Sequence, residues 1–259
     1  MHSHINFAYP WPFTYGHLIL AVIAAAFLGL AFYRKWPTFL LILIGAFTLW
    51  STSAFLLVRF GFDLNGRAIM PTQSFLTSGS GRVLDMGAGT GRSSIMILEA
   101  RPQTTLVALD SFGESYVEHF GAGGKPQEVL DLGRQRLVAN LRAAGVEQRA
   151  TIQPGDMRKM PFPDACFDGI VSAYAIDHLT RDGIRSSLAE ASRVLKPKGE
   201  FLLMLISKDF WLKYTFGPIL LHAGTRPAAR WVEFLQNAGF EVVEQGARPA
   251  TLYFVARKR

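Results

Sequence analysis

The sequence predicts an α/β fold built on a parallel sheet and preceded by two membrane-spanning helices. From residue 82 onward, short apolar runs alternate with amphipathic stretches, as strands alternate with helices around a parallel sheet. Upstream of residue 61, two apolar runs of membrane length stand back to back. The stretch "GAGTG" (87–91) directly follows an apolar run, which indicates a sharp turn from strand to helix beside a ligand.

The composition agrees with a chain that lies partly outside water. Of its 259 residues 49% are hydrophobic, and the formal net charge is +7. Positive charge suits nucleic acid, anionic lipid or the cytosolic face of a membrane, so charge alone leaves these open. Cys166 is the single cysteine, which excludes an intramolecular disulfide and a multi-cysteine zinc site and fits a reducing compartment. No metal site is predicted.

Residues 1–62 are predicted to contain a transmembrane helical hairpin, with helices at about 16–34 and 37–59. A hydrocarbon core of ~30 Å needs ~20 helical residues. Only "RKW" and a proline separate the runs, so both ends of the hairpin should lie on one side of a bilayer, which residues 16–60 would contact. A homo-oligomer formed through the hairpin stays open. A cleaved signal peptide is disfavoured because no Lys or Arg precedes the first run.

Two questions about this hairpin stay open at the level of sequence. The polar residues 51–53 soften the second run, so a pair of buried helices in a soluble fold remains an alternative. Arg34 and Lys35 predict a cytoplasmic turn, whereas Arg59 and Arg67 favour the opposite orientation. The chemistry of the following domain must therefore decide the topology.

A linker at 63–81 leads to the domain at 82–259. Its clearest helices are expected at 93–100, 126–144, 181–195 and 226–238, the last ending at a glycine C-cap. Seven strands are expected between and after them, at 82–86, 105–109, 150–153, 169–172, 201–206, 240–244 and 251–256.

The glycine-rich turn does not match two common nucleotide loops. The dinucleotide fingerprint needs a glycine at the sixth place counted from Gly87, where this chain has Arg92, and a phosphate-binding loop needs a Gly-Lys-Ser/Thr ending. Asp110 ends the next strand, where a carboxylate can accept hydrogen bonds from both ribose hydroxyls. Asp156 follows the third strand, and its carboxylate or the neighbouring backbone could meet an adenine amino group, with Met157 packing on the ring.

With these residues in place, the sequence resembles a class I S-adenosylmethionine-dependent methyltransferase, closest to the quinone-ring and small-molecule branch. The matching stretches are "VLDMGAGTG", "LVALD", "GDMRKMPFPDACFDGIVSAYAIDHL" and "RVLKPKGEFLL" within about 82–257. The resemblance implies a Rossmann-like, seven-stranded, mostly parallel sheet with helices on both faces and one reversed strand near its C-terminal end. It also implies S-adenosylmethionine as the cofactor.

The resemblance assigns the expected cofactor-binding residues. Asp85 and the loop of Gly87, Ala88, Gly89 and Gly91 would border the methionine moiety, and Asp110 with Ser111 would hold the ribose. Asp156 and Met157 would address the adenine, and Ser172 and Ala173 would line the sulfonium side. Because the cofactor is a cytosolic metabolite, the resemblance also places the domain in the cytoplasm of an integral membrane protein, such as one of the bacterial inner membrane.

Catalysis by methyl transfer needs alignment more than functional groups, and a base only where the acceptor must lose a proton. Asp177 and His178 are the candidates, although adjacent residues do not face each other on a helix, and a capping pair is the alternative. Tyr174, Tyr116, Trp211 and Phe216 are candidate substrate contacts. The last two belong to the segment at 207–224, interpreted as interfacial because aromatic and lysine residues intersperse in it; a core lid helix is the alternative.

Three functions follow in order of preference. The first is methyl transfer to a hydrophobic or membrane-associated small molecule, such as a quinone precursor or lipid-like acceptor. The second is methyl transfer to a small soluble or volatile acceptor, with the hairpin as a tether. The third is a non-catalytic cofactor-binding regulatory or assembly subunit. A nucleic-acid substrate is not expected, because "SAYA" stands where amino methyltransferases of nucleic acids carry an "NPPY" type motif.

Overall fold

The predicted α/β architecture is confirmed by a computed structural model, which describes residues 5–64, 66–112, 126–217 and 226–259, with side chains from 132 in the third range. In this part of the chain a seven-stranded sheet has the order β3-β2-β1-β4-β5-β7-β6. Strands β1 to β5 run parallel to one another, and β7 pairs antiparallel with both β5 and β6. The reversed strand is therefore where the resemblance placed it.

The bounds of the sheet strands extend the predicted ones by a few residues. They are Ser80–Met86 (β1), Gln103–Asp110 (β2), Ala150–Pro154 (β3), Phe167–Ala173 (β4), Leu195–Ile206 (β5), Phe240–Arg248 (β6) and Thr251–Lys258 (β7). The largest difference is at β5, which begins six residues early because Leu195 already pairs with Phe167, before a register shift in β4.

The four longer helices of the domain cover both faces of the sheet with buried apolar residues, and a shorter one packs against the hairpin. They are Arg92–Ala100 (α3), Pro126–Ala143 (α4), Arg181–Val194 (α5), Phe210–Phe216 (α6) and Ala228–Asn237 (α7). The short helix α6 is an addition to the predicted elements, and it is capped by Asp209, whose carboxylate accepts the Leu212 N–H at 2.9 Å.

The predicted hairpin is formed by α1, Trp11–Tyr33, and α2, Thr38–Leu56, which continues as a π-helical turn over Leu57–Phe62. Helix α1 begins five residues earlier than expected because Pro12 lies in its first turn, where a missing N–H leaves no bond unmade. The helices are antiparallel: Tyr15 contacts Phe55 near one end, and Phe27 contacts Trp36 near the other.

Both hairpin helices are long and apolar enough, by length and composition, to cross a membrane. Only 22% and 17% of their most apolar windows are buried, whereas a core helix of a soluble protein is mostly buried. The hydroxyls of Thr48, Ser51 and Thr52 donate to carbonyls one turn earlier at 2.6 to 2.8 Å, which satisfies them inside the helix.

The segment predicted as a linker packs onto the domain. Phe75 and Leu76 are buried in the core. The Arg101 guanidinium donates to the carbonyls of Gln73, Phe75 and Leu76 at 2.6 to 3.0 Å. Residues 71–76 are thereby fixed beside β1 instead of separating the hairpin from the sheet.

Candidate methyltransferase site

The glycine-rich loop follows β1 at the carboxyl end of the sheet. Gly87, Gly89 and Gly91 all have positive φ, at 84°, 56° and 92°, which favours glycine at each position. A Cβ on Gly87 would lie 2.4 Å from the Ala175 Cβ and 2.9 Å from the Met157 Cε. The Gly87 and Ala88 N–H groups donate to the Leu109 carbonyl at 2.9 and 3.1 Å, so the loop is fixed to β2.

Asp85 lies at the base of this loop and is fully buried. Its Oδ2 accepts the hydroxyls of Ser93 and Ser94 at 2.7 and 2.6 Å, and its Oδ1 has no hydrogen-bond partner among the described residues. Burial raises the pKa of Asp85 to about 6, although the two hydroxyl bonds act against the shift. Asp85 therefore ties the loop to the first turn of α3.

Asp110 ends β2 and reaches back to the loop. Its Oδ2 accepts the Gly89 N–H and its Oδ1 accepts the Phe112 N–H, both at 2.8 Å. Burial raises the pKa of this carboxyl group, and the backbone N–H bonds act in the opposite direction. Ser111 next to it is exposed. Each carboxylate oxygen keeps a lone pair, so Asp110 can still accept from a ligand's hydroxyls.

Asp156 and Met157 follow β3 and lie on the same edge of the sheet. The Arg158 guanidinium donates to both Asp156 oxygens at 2.6 to 3.0 Å and holds the pKa of that carboxyl group below its usual range. Met157 packs against the core and reaches the glycine loop. An adenine amino group at Asp156 would therefore meet a carboxylate that already has a cationic partner.

The end of β4 supplies the next predicted residues. The buried Ser172 hydroxyl donates to the Met86 carbonyl at 2.9 Å, so it holds β4 against β1. Ala173 and Tyr174 follow; Tyr174 has φ 54°, and its hydroxyl lies 2.6 Å from the Thr251 Oγ1. Burial raises the pKa of Tyr174, which keeps the phenol neutral.

Asp177 and His178 lie on a single 3₁₀ turn, Ile176–His178. Asp177 Oδ2 is 3.5 Å from the Ile206 N–H, and Oδ1 is buried without a hydrogen-bond partner in the described part of the chain. Burial raises the pKa of Asp177, against the opposing charge of His178. His178 itself is exposed. The two candidates therefore occupy different environments.

A cavity of about 110 Å³ opens at the glycine loop. From the predicted set it brings together Gly87, Ala88, Ala173 and Tyr174. The rest of its lining comes from α3, the end of β5 and the segments that flank the hairpin: Phe7, Tyr9, Ala68, Thr90, Arg92, Ser93, Met96 and Met204. Asp110, Asp156 and Met157 are not among the lining residues, so the cavity lies at the end of the loop away from β2.

Helix α6 places the predicted contacts Trp211 and Phe216 on opposite sides. Trp211 is exposed, whereas Phe216 is buried against the hairpin, with its ring 5.6 Å from that of His17. One face of α6 is therefore covered and the other is open, and both the interfacial interpretation and the lid-helix alternative for this segment stay predictions. Tyr116 and residues 218–224 lie outside the described residues.

Hydrogen bonds from the hairpin hold the covered face of α6, and the residues that make them had no distinct signal in the sequence. His17 Nε2 lies 2.9 Å from the Thr215 carbonyl oxygen. Trp50 Nε1 donates to the Tyr214 carbonyl at 3.0 Å, and the Ser53 and Tyr214 hydroxyls are 2.6 Å apart. A polar residue in an apolar run is the one sequence feature that could have indicated such contacts.

The strand order, the reversed β7 and a glycine loop facing an acidic residue on the next strand define a nucleotide-type site of a methyltransferase. Residues 84–203 match the protein-family model described as a methyltransferase domain. This match spans β1 to β5 and includes each predicted cofactor residue. Residues 84–203 are therefore a methyltransferase domain, which confirms the resemblance to class I S-adenosylmethionine-dependent methyltransferases over this part of the chain.

Curated relatives that match this domain include demethylmenaquinone methyltransferases. It is 27% identical over 158 residues to the demethylmenaquinone methyltransferase of Symbiobacterium thermophilum, covering 61% of this chain and 54% of the relative. It is 34% identical over 124 residues to the demethylmenaquinone methyltransferase of Deinococcus radiodurans, covering 48% of this chain and 42% of the relative. The chain thus spans about half the length of the curated relatives it matches.

Solved structures show the same fold at low identity. Mitomycin 7-O-methyltransferase MmcR is 17% identical with a TM-score of 0.55, covering 85% of this chain and 57% of that one. An O-methyltransferase family protein from Burkholderia thailandensis is 11% identical with a TM-score of 0.55. The match covers 82% of this chain and 60% of that one.

Proposed function

We propose that this chain transfers the methyl group of S-adenosylmethionine to an apolar, quinone-like small molecule that reaches the site from a membrane. The observation that carries the proposal is the lining of the cavity. Phe7, Tyr9 and Ala68, which flank the apolar hairpin, share it with Gly87 and Ala173 at the methyl-donor end of the glycine loop. The acceptor side of the site is thus continuous with the part of the chain suited to lipid.

The residues of the loop fit the cofactor. The positive-φ glycines let the backbone turn sharply and keep side chains out of the loop, and a side chain at Gly87 would fill the cradle. Asp110 would hold the ribose, Asp156 and Met157 would border the adenine, and Asp85 would keep the loop in shape through Ser93 and Ser94. The bound cofactor supplies a methyl group activated by sulfonium charge.

The chain's own groups would align the acceptor and exclude water. The partly buried Tyr174 is held by Thr251 and lines the cavity, where it can orient a polar substituent of the acceptor. Met204 and Met96 offer adaptable apolar contacts to a ring. Alignment at near-contact distance is the main requirement for an in-line displacement.

Asp177 is the better candidate for a general base. Its carboxyl group is buried near Tyr174, has an unpartnered Oδ1 among the described residues, and has a raised pKa, which brings a carboxylate closer to the value useful at neutral pH. It would accept the proton that a hydroxyl or ring-carbon acceptor loses. His178, exposed and next to it, would support the charge on Asp177.

The hairpin would span the membrane with the domain in the cytoplasm. The fold places α6, with Lys208 preceding it and Lys213 within it, against the base of the hairpin. Together with Arg59 they outnumber Arg34 and Lys35 at the turn, which supports the domain side as the cytoplasmic one. The test uses a Lys35→Cys variant in a Cys166→Ser background. If an impermeant maleimide labels this cysteine in intact cells, the orientation is supported. If it labels the cysteine only after lysis, the orientation is refuted.

The function is tested with the full chain in vesicles that contain quinone-bearing membrane lipids and methyl-labelled S-adenosylmethionine. We expect the label in the organic extract. Label in the aqueous or gas phase would support the soluble or volatile acceptor instead. Calorimetric titration with S-adenosylhomocysteine is the companion measurement, because binding without transfer to any fraction would favour the non-catalytic reading, and no binding would refute the cofactor role.

The role of Asp177 is tested by Asp177→Asn. We expect kcat to fall about 100-fold while the affinity for S-adenosylhomocysteine stays unchanged, since general-base catalysis contributes roughly that factor. Asp182→Asn, on an exposed position of α5, is the matched control and should leave both unchanged. An unchanged kcat in Asp177→Asn would remove Asp177 from the reaction.

A further inference from the structure

The two ends of the hairpin are hydrogen-bonded to two residues at the glycine loop, Thr90 and Arg92. Before α1, the Thr90 hydroxyl donates to the Phe7 carbonyl at 3.1 Å. After α2, the Arg92 Nε donates to the Gly66 carbonyl at 3.2 Å, and its Nη2 donates to the Asp63 carbonyl at 3.1 Å. The loop that should bind the cofactor is thus held between the entry and the exit of the hairpin.

Asn140 on α4 completes the first of these contacts. Its side chain is 3% exposed. It is hydrogen-bonded to both backbone groups of Asn6: Oδ1 accepts the Asn6 N–H, and Nδ2 donates to the Asn6 carbonyl, each at 2.9 Å. The same Nδ2 donates to the Thr90 carbonyl at 2.9 Å. One amide group therefore joins the segment before α1 to the glycine loop.

Arg92 completes the second contact. The residue takes the place where a dinucleotide loop has glycine, and its guanidinium reaches the final turn of the π-helix, whose Phe62 carbonyl lies 3.5 Å from Nη2. Cationic side chains are favoured at helix C-termini, where carbonyls lack partners. Arg92 also lines the cavity, so the group that binds the hairpin's exit is part of the wall of the site.

We propose that Asn140 and Arg92 are positioning residues that couple the docking of the hairpin to the binding of the cofactor. The inference rests on the proposed function and deepens it, because it makes Phe7 and Tyr9 a wall that is present only while the hairpin is docked. Coupling is reciprocal: if cofactor binding stabilises the docked segment, docking raises the affinity for the cofactor by the same factor.

The test is hydrogen exchange of the full chain in lipid nanodiscs, with and without S-adenosylhomocysteine. We expect the ligand to slow exchange at the Asn6 and Ala8 N–H groups about 10-fold, as well as at Gly87 to Gly91, within the range of typical couplings. Asn140→Leu should abolish the slowing at Asn6 and lower the affinity for S-adenosylhomocysteine about 10-fold. Asn140→Asp, which keeps the acceptor for the Asn6 N–H, serves if Asn140→Leu does not fold.

Matched controls separate this coupling from a general loss of stability. Gln135→Leu, at an exposed position of the same helix, is the matched control for Asn140→Leu and should behave as wild type at Asn6 and at Gly87 to Gly91. Arg92→Gln should lower the affinity about 10-fold with partial rescue by Arg92→Lys, whereas Arg67→Gln, which removes an exposed pair with Glu99, should not.

The outcomes distinguish this inference from the proposed function. Slowing at Gly87 to Gly91 without slowing at Asn6, or wild-type affinity in Asn140→Leu and Arg92→Gln, would overturn the coupling and leave the cofactor role intact. Failure of the wild-type chain to bind S-adenosylhomocysteine would overturn the proposed function itself.

Discussion

The glycine loop and the contact between α6 and the hairpin hold their shapes by different means. The loop depends on backbone conformations that only glycine adopts easily and on the buried Asp85 beneath it. The α6 contact depends on hydrogen bonds from His17, Trp50 and Ser53 to residues 161 to 198 positions further along the chain. Loop geometry leaves little room for substitution, whereas a set of side-chain bonds can lose one member and survive.

The largest effect should come from Gly87→Ala. The new Cβ would sit 2.4 Å from that of Ala175 at a positive φ, so we expect the affinity for S-adenosylhomocysteine to fall about 1,000-fold, or about 4 kcal/mol, measured by titration calorimetry. Gly145→Ala is the control, because its φ of 71° is also positive and nothing lies within 4 Å. Equal losses in both variants would mean that backbone strain alone explains the result.

Asp85 gives the next effect, as a dependence of stability on pH. Its folded pKa of about 6 exceeds the ordinary value of 3.8, so its stabilising contribution is present below about pH 4 and is lost as pH rises through 6. The unfolding free energy of wild type relative to Asp85→Asn should therefore fall by about 3 kcal/mol between pH 4 and pH 7. Asp177 titrates in both proteins and cancels, whereas the charge of Asp110 contributes to the raised pKa of Asp85 and is part of the measured difference. If the unfolding free energies of wild type and Asp85→Asn changed in parallel with pH, the raised pKa of the buried Asp85 would be contradicted.

Trp50→Phe should be milder. It removes the donor to the Tyr214 carbonyl and keeps most of the ring, so we expect a loss of about 1 to 2 kcal/mol in the unfolding free energy measured in detergent. Trp36→Phe at the far turn of the hairpin is the matched control. A larger loss in the control would show that the α6 contact contributes little.

Ser53→Ala should have the smallest effect. The hydroxyl it removes lies 2.6 Å from the Tyr214 hydroxyl, which can turn to another partner, so about 0.5 kcal/mol is expected. Thr52→Ala, whose hydroxyl is exposed and donates to its own helix, should be nearly neutral in the same measurement. If Ser53→Ala lowered the unfolding free energy as much as Trp50→Phe does, the α6 contact would tolerate substitution no better than the glycine loop.

This contrast also explains how far the sequence could predict the molecule. The strands and the glycine loop are encoded in contiguous stretches, so their order, the reversed β7 and the neighbouring positions of Asp85, Gly87 and Asp110 could be predicted. The hairpin helices could likewise be predicted from the length and composition of their apolar runs. Only element bounds moved, as at α1, where Pro12 allows an earlier start.

What could not be predicted involves residues distant in sequence. Nothing in the chain near residue 140 indicates that Asn140 meets Asn6, because an asparagine on an amphipathic helix is usually a solvated residue. The pairing of Asp156 with Arg158 and the burial of Phe216 depend likewise on local and tertiary packing. Arg92 was visible only as a departure from the dinucleotide pattern, with no indication of what it binds.

The bonds of Asn140 also bear on the order in which the chain is assembled. Residues 6 and 7 are synthesised before residues 90 and 140, so they cannot form these bonds until the intervening chain, including both hairpin helices, has been made. Contacts across such sequence distances close slowly because the chain between them must first be ordered. The segment at residues 5–9 can therefore dock only after α4 has formed. Until then, the glycine loop lacks the wall that Phe7 and Tyr9 supply to the cavity.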